Sequence, residues 1–221
     1  MNRTDIINLI AKRIDARSYL QIGGGATTGN FNSIAVAGKI QATPSGSVHD
    51  HRVCRVTAAE FWQDNSLAWD LIFIDGDHQY QAVKYDIHHA AACLEPGGVL
   101  VIRGVLPSSA REGATDRPAA GVAWCGEAWR AWCDLRAWGY SNGHVTFAID
   151  ADYGIGIVYG DTEHWRDDEA GEMSQLSDAV EHVAPWVDSS THGVVSAADA
   201  EREINQIPRI VRGELDIGGG L

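Results

Sequence analysis

Short apolar runs alternate with amphipathic segments along the first 160 residues of the chain. The clearest run is the apolar tetrapeptide at residues 71–74, which leads directly into the polar sequence at 75–78. Residues 5–14 instead repeat apolar side chains every three to four positions, as one face of a helix does. Read in this way, the sequence predicts seven strands, at residues 19–22, 39–42, 52–56, 71–74, 99–102, 145–149 and 154–159. It predicts five helices, at residues 5–14, 30–37, 58–63, 80–94 and 127–138.

Strands that alternate with helices of this length indicate βαβ units and an α/β fold with a mainly parallel sheet. Ligands of such sheets bind beyond the carboxyl ends of the strands. Three strand ends carry unusual residues, the glycine-rich stretch 23–29, the acidic stretch 75–78 and the pair Arg103-Gly104. We expect all three to line one crevice. Residues 106–123, rich in Pro, Ser and Gly, predict a mobile loop beside it.

Four tryptophans follow this loop, and their spacing is partly helical. They favour packing in the core or between subunits over a wall on which a substrate stacks. The four are Trp124, Trp129, Trp132 and Trp138.

Several sequence motifs occur in the same order as in a known enzyme family. The segment LIFIDGDHQYQAVKYDIHHAAACLEPGGVLVIRGVLP at 71–107 resembles the class I S-adenosylmethionine-dependent methyltransferases, in particular a subgroup with an IDGDHxY strand end. YLQIGGGATTGNF at 19–31 is similar to the family's glycine-rich motif I, and KIQATP at 39–44 to the segment that follows it. WCGEAWRAWCDLR at 124–136 and IDADYGIGIV at 149–158 continue the resemblance. It implies a Rossmann-like fold with a mainly parallel seven-stranded sheet and helices on both faces, and S-adenosylmethionine as the cofactor.

The resemblance also implies roles for individual residues. Gly23 and Gly25 belong to the loop that approaches the methionine part of the cofactor. In metal-dependent relatives a carboxylate at the position of Asp75 helps to bind Mg²⁺, which prefers oxygen ligands. His78 corresponds to the base that takes a proton from a substrate hydroxyl. A structural alternative for Asp77 and His78 is that they cap the helix that follows them.

Three positions depart from the family pattern. Gln21 stands where the family has a glutamate, and Thr43 stands where an aspartate accepts hydrogen bonds from the ribose. Thr43 can still accept such a bond, but without the added strength that a charge provides. Arg103 replaces an acidic residue after the fifth strand, and a cation cannot ligate Mg²⁺. We therefore expect no metal, with Arg103 either pairing with Asp75 or holding an anionic substrate.

The acidic residues are concentrated in the last quarter of the chain. Of the net charge of −13, −10 falls on residues 161–221, which hold 14 acidic and four basic residues. We therefore divide the chain into a methyltransferase-like domain at 1–160 and an acidic extension at 161–221, partly helical or flexible. The extension is expected to face solvent or another subunit of a homo-oligomer. Its charge argues against a nucleic-acid partner.

The sequence also gives expectations about the compartment. No apolar run reaches the roughly 18–20 residues that a membrane span needs, and residues 1–14 lack the apolar core of a signal peptide. The four cysteines show no CxxC spacing, so reduced thiols are expected and a zinc site is not. A cytoplasmic protein without a membrane partner is expected.

Two functions fit these observations. The first is a metal-independent methyltransferase that acts on a small hydroxylated molecule, such as a sugar or natural-product intermediate. In this function His78 is the base, and Arg103 orients or neutralises the substrate. The second is a non-methylating member of the fold, either a binding or regulatory protein or an enzyme of other chemistry that uses Arg103 and His78. The missing acidic residues at 21 and 43 favour the second.

Overall fold

Eight strands form one mixed sheet, and the apolar runs of the sequence make up its centre. The computed structural model describes residues 1–25, 29–45, 50–119, 122–160, 182, 184–185, 187–188 and 190–210. The strand order is β3-β2-β1-β4-β5-β7-β6-β8. The strands are β1 (Ser18–Gly23), β2 (Gly38–Ala42), β3 (Val53–Cys54), β4 (Trp69–Asp75), β5 (Leu94–Arg103), β6 (Val145–Asp150), β7 (Ile155–Tyr159) and β8 (Val194–Ser196).

Six helices are described, and five of them lie at predicted positions. They are α1 (Arg3–Ile14), α2 (Gly29–Ser33), α3 (Ala58–Asp64), α4 (Tyr80–Ala92), α5 (Ala128–Ser141) and α6 (Ala200–Ile204). Helix α1 begins with a capping box, in which Asn2 and Asp5 each accept a hydrogen bond from the other's backbone N–H. Helix α2 is four residues shorter at its carboxyl end than the predicted 30–37. None of these helices is both long and apolar enough to cross a membrane.

Alternate side chains of the central strands point to opposite faces of the sheet, and each face has its own core. Leu20, Ile72 and Leu100 pack with α4 and α5 on one face. Tyr19 and Phe73 pack with α1, α2 and α6 on the other. A strand buried on both faces reads as a continuous apolar run rather than as an alternating pattern. The predicted α/β fold with helices on both faces is confirmed.

The predicted break between α4 and β5 is wrong in one respect. The polar and glycine-rich stretch 95–98 was expected to separate the helix from a strand starting at residue 99, yet β5 already begins at Leu94. Leu94 pairs with Trp69, and the register with β4 then shifts before Leu71 pairs with Val99. A bulge of this kind accommodates glycine within a strand, so a breaker sequence does not have to end it.

The sheet contains one strand more than the seven predicted, and it comes from the acidic extension. Strand β8 runs parallel to β6, with Ala148 opposite Val194. The extension then continues into α6, whose Ala200 and Ile204 are fully buried in the core beside α1. Strand β8 has only three residues and an exposed–intermediate–exposed burial pattern, so no apolar run reveals it in the sequence.

A buried carboxylate connects α3 and α4. Asp86, on α4, accepts a hydrogen bond from the indole N–H of Trp62 at 2.9 Å, and its side chain is almost inaccessible to solvent. Burial raises the pKa of Asp86 from 3.8 to about 6, with a further contribution from Asp77, and the Trp62 bond opposes the rise. The folded protein therefore binds this proton more tightly than the unfolded chain does.

We predict that Asp86→Asn changes the pH dependence of stability. The wild type should lose stability as the pH rises from about 4 to about 6, because Asp86 is then ionised in the unfolded chain, and folding must either bind a proton or bury a charged carboxylate. The full loss is about 3 kcal/mol at about 1.4 kcal/mol per pKa unit. Asp86→Asn should lack this loss, so its free energy of unfolding should rise relative to that of the wild type as the pH increases. Urea unfolding at pH 4.5 and pH 8 measures this, with Asp64→Asn, at an exposed position on α3, as a control for charge removal. If the difference in unfolding free energy between the wild type and Asp86→Asn is the same at pH 4.5 and pH 8, the prediction is contradicted.

We predict that two glycines of the same loop differ in their tolerance of a side chain. Gly23 and Gly25 both have positive φ, at 80° and 66°. Alanine at either position should cost about 1–2 kcal/mol in free energy of unfolding because of the left-handed conformation. A Cβ at Gly23 would also overlap the backbone of Asp75 and Gly76, whereas a Cβ at Gly25 has no neighbour within 4 Å. Gly23→Ala should therefore lose about 1–3 kcal/mol more. Equal losses in chemical denaturation would refute this account.

Candidate functional site

The three unusual strand ends lie together at one edge of the sheet, as the sequence predicts. Gly23, at the end of β1, is the register partner of Asp75, at the end of β4. Ile74 pairs with Ile102, so that Arg103 follows at the same level on the neighbouring strand. The amide N–H of Gly24 donates to the carbonyl oxygen of Asp75 at 2.8 Å, which holds the glycine loop against β4.

Four charged side chains form what we call the charge network, Arg3, Asp75, Arg103 and Asp152. One guanidinium nitrogen of Arg103 lies 3.2 Å from Asp75 and the other lies 3.4 Å from Asp152. Arg3, from the first turn of α1, lies 3.7 Å from Asp75 and 3.4 Å from Asp152. Each arginine thus contacts both carboxylates.

The environment of Arg103 keeps it charged. Burial alone would lower its pKa, but Asp75 and Asp152 outweigh burial and raise it. Its guanidinium also lies 5.3 Å from the ring centre of Tyr153. Of the two roles expected for Arg103, pairing with Asp75 is the one that the structure contains.

A magnesium site does not fit these residues. The carboxylate of Asp75 is 8% exposed, and two guanidinium groups lie beside its oxygens. No group of three or more His, Cys, Asp or Glu side chains suited to a metal occurs in the described part of the chain. The positive charges of Arg3 and Arg103 occupy the surroundings that a divalent cation would need, and they would repel it.

His78 lies just beyond the charge network. Its Nε2 is 4.0 Å from an Asp75 oxygen, and its ring meets that of Trp124 edge to face with the ring centres 5.5 Å apart. Burial lowers the pKa of His78 below its ordinary value of 6.5; Asp75 and Asp77 oppose this effect, and Arg103 and Arg117 add to it. At neutral pH the imidazole is therefore uncharged and can accept a proton.

Helix capping does not account for His78. Helix α4 begins after the N-cap residue Gln79, whose side chain makes no capping hydrogen bond. Asp77 accepts a hydrogen bond from the backbone N–H of Gln79 at 3.0 Å, so it forms a turn just before the helix. The carbonyl oxygen of His78 accepts from the backbone N–H of Glu127, which connects this turn to the start of α5.

Two adjoining cavities open at this edge of the sheet. The smaller, of about 290 Å³, is lined by Arg3, Gly24, Gly25, Asp75, Gly76, Asp77, His78, Arg103, Arg117 and Trp124. The larger, of about 540 Å³, has walls that include Gly23, Gly24, Gly25, Thr43, Thr57, Ala58, Asp75, Tyr85, Asp86 and Arg117. The cavities share Gly24, Gly25, residues 75–77 and Arg117. A volume of this size lies within the usual range for small-molecule sites.

Most residues singled out in the sequence line these cavities, and one does not. Gln21 is buried beneath the glycine loop, where its Oε1 accepts hydrogen bonds from Tyr19 and Asn30. It is in neither cavity wall. Its neighbour on β2, Gln41, donates to the carbonyl oxygen of Gly23 at 2.7 Å. These two glutamines therefore support the loop from below. Residues 26–28 of the predicted loop lie outside the described residues.

Several residues of the site carry no recognisable signal in the sequence. Arg3 precedes the predicted helix at 5–14, Asp152 lies between two predicted strands, and Asp86 lies within a predicted helix. Arg117 belongs to the loop that was predicted to lie beside the crevice, and it does line both cavities. Side-chain hydrogen bonds hold the loop in place, from Gln79 to the carbonyl oxygen of Thr115, from Trp124 to that of Ala114 and from Trp129 to that of Gly113.

Comparisons with known proteins agree with this architecture. Residues 28–103 match the model of a family described as "Methyltransferase domain". No curated protein matches the chain significantly.

Among solved structures, the chain is similar to the SAM-bound O-methyltransferase TomG from Streptomyces achromogenes, with 16% identity over 72% of this chain and 79% of that one and a TM-score of 0.48. SAH-bound PaMTH1 from Podospora anserina shares 13% identity over 72% and 78%, with a TM-score of 0.49. Cofactor-bound Rv0187 from MTB shares 20% over 72% and 80%, with a TM-score of 0.46. Such low similarity does not fix the role of any residue.

The family match and the strand order support each other. Parallel strands in the order β3-β2-β1-β4-β5, followed by the antiparallel β7, form the mainly parallel sheet that the motif resemblance implies. The resemblance of this chain to the methyltransferases is supported over residues 28–103, and the described strands have a Rossmann-like arrangement.

Proposed function

We propose that the protein is an S-adenosylmethionine-dependent methyltransferase that methylates a hydroxyl group of a small molecule without a metal ion. The observation that carries this proposal is the pair of adjoining cavities. A methyl donor and an acceptor must lie next to each other, and the two cavities meet at the glycine loop and Asp75. Holding two reactants in line replaces a bimolecular encounter, which supplies much of the rate. A sugar or natural-product substrate and a cytoplasmic location belong to the same proposal.

The larger cavity would hold the cofactor, which supplies an activated methyl group on a sulfonium. Gly23 and Gly25 would allow its methionine part to approach the backbone. Thr43, at the end of β2, would take the place of the usual ribose-binding carboxylate. Its side-chain oxygen lies 3.4 Å from that of Ser45, and both residues line the cavity. Gln21 would act indirectly by supporting the loop.

His78 would be the general base in the smaller cavity. Its uncharged imidazole would take the proton from the substrate hydroxyl as the oxygen–carbon bond forms. Asp75 lies near enough to stabilise the imidazolium that results. Arg103 would act by holding Asp75 and Asp152 in place.

The uncharged side chains at the ends of β1 and β2 support the non-methylating alternative. Neither Gln21 nor Thr43 carries the negative charge that a methyltransferase of this fold normally places there. A binding protein that uses the same cavities for another ligand would need neither charge. The two functions differ in whether the larger cavity binds S-adenosylmethionine at all.

We predict that S-adenosylhomocysteine binds to the purified protein and that Mg²⁺ does not change its affinity. Calorimetric titration with and without the metal measures both. Thr43→Asp should tighten binding by roughly tenfold, because a carboxylate forms a charge-assisted hydrogen bond to the ribose. Absence of binding by both the wild type and Thr43→Asp at millimolar ligand would overturn the methyltransferase proposal in favour of the alternative.

We predict that His78→Ala lowers turnover by a factor of about 10²–10⁴, the usual contribution of a general base. The affinity for S-adenosylhomocysteine should stay within about threefold, because His78 lines the smaller cavity and is absent from the larger. Transfer of labelled methyl groups from the donor to a panel of hydroxylated acceptors measures turnover. His51→Ala, at an exposed histidine outside both cavities, is the matched control. Full turnover in His78→Ala would show that another group takes the proton.

A further inference from the structure

Arg117 differs from the other two arginines of the smaller cavity in its partners. Arg3 and Arg103 each contact Asp75 and Asp152, so their charges are already balanced. Arg117 has an exposed side chain and forms no ion pair with any residue that the structure describes. Its guanidinium lies 5.5 Å from the ring centre of Trp124. It is therefore the cation at this site that remains available to a ligand.

The position of Arg117 is set by the loop that carries it. The indole N–H of Trp124 donates to the carbonyl oxygen of Ala114 at 2.7 Å, and Gln79 donates to that of Thr115 at 2.9 Å. These bonds hold both the loop and the aromatic ring on which the guanidinium rests. A side chain held in this way loses less conformational entropy when it binds a ligand.

The charged side chains around the smaller cavity balance one another before any ligand is bound. Its walls contain three guanidinium groups and two carboxylates, those of Asp75 and Asp77. The carboxylate of Asp152, which lies outside the walls, balances the third positive charge. His78 adds no charge at neutral pH because burial lowers its pKa. A bound sulfonium donor would add one positive charge at the boundary between the cavities. A neutral acceptor would leave this charge uncompensated.

We propose that the acceptor substrate carries an anionic group, a carboxylate or a phosphate, and that Arg117 binds it. This proposal rests on the proposed methyltransferase function. The planar guanidinium can donate two parallel hydrogen bonds to either anion. Arg117 lines both cavities, so an acceptor bound to it would lie between His78 and the position of the donor. The substrate class is thus a hydroxylated organic acid or phosphate ester.

The first arm of the test measures binding of simple anions, with and without S-adenosylhomocysteine. Inorganic phosphate and acetate are titrated into the protein at constant ionic strength while the Nε–H resonance of Arg117 is followed by NMR. Either anion should bind the wild type, and Arg117→Gln should weaken that binding at least tenfold in a competition assay. Arg111→Gln, an exposed arginine of the same loop outside both cavities, should bind as the wild type does. Whichever anion binds tighter identifies the carboxylate or phosphate class.

The second arm measures methyl transfer to a hydroxylated acid and to its neutral methyl ester. The ratio of kcat/KM for the acid to that for the ester should exceed ten in the wild type and fall at least tenfold in Arg117→Gln. Failure of both anions to bind, or equal losses in Arg117→Gln and Arg111→Gln, would overturn the proposal. If the anion results hold but S-adenosylhomocysteine does not bind, the anion site stands and the methyltransferase function fails.

Discussion

The ion pair between Arg103 and Asp75 determines what chemistry this edge of the sheet can support. Both side chains are largely buried, and removing one partner of such a pair typically costs about 3–5 kcal/mol because the other charge is left uncompensated. The pair also neutralises the carboxylate whose counterpart, according to the motif resemblance, helps to bind Mg²⁺ in metal-dependent relatives. Asp75 is paired with Arg103, and its charge does not raise the pKa of the nearby His78 above the ordinary value. Burial has the larger effect and lowers that pKa. Arg103 thus places a positive charge beside the carboxylate of Asp75, and the nearby imidazole of His78 stays uncharged at neutral pH.

The charge network also joins parts of the chain that are distant in sequence. Arg3 brings the start of α1 to the site, and Asp152 brings the turn between β6 and β7. That turn is itself unusual, since Asp152 and Tyr153 both have positive φ, at 49° and 68°. The carbonyl oxygens of Tyr153 and Gly154 accept hydrogen bonds from the backbone just after Arg103. The strained turn and the end of β5 therefore support each other, and such strain is common at functional sites.

The sequence predicts the central strands well because each is buried on both faces and reads as an uninterrupted apolar run. It also predicts that Gly23, Asp75 and Arg103 lie at one edge, because that follows from the parallel arrangement alone. It does not predict β8, which is short and only partly buried. Nor does it predict Arg3, Asp152 and Arg117, because no motif or periodicity distinguishes a charged residue that faces the site from one that faces solvent. These positions depend on tertiary packing.

A methyl transfer without a metal ion, as proposed for this protein, has to position its acceptor in another way. A divalent cation can bind two substrate oxygens and lower the pKa of a hydroxyl at the same time. In the proposed reaction, which uses no metal ion, His78 would activate the hydroxyl, and hydrogen bonds from fixed donors would orient the substrate. Arg3 and Arg103 are held by two carboxylates, so they stabilise the site more than they bind ligands. The proposed substrate would therefore be oriented by Arg117, which forms no ion pair with a described residue, rather than by the more deeply buried Arg103.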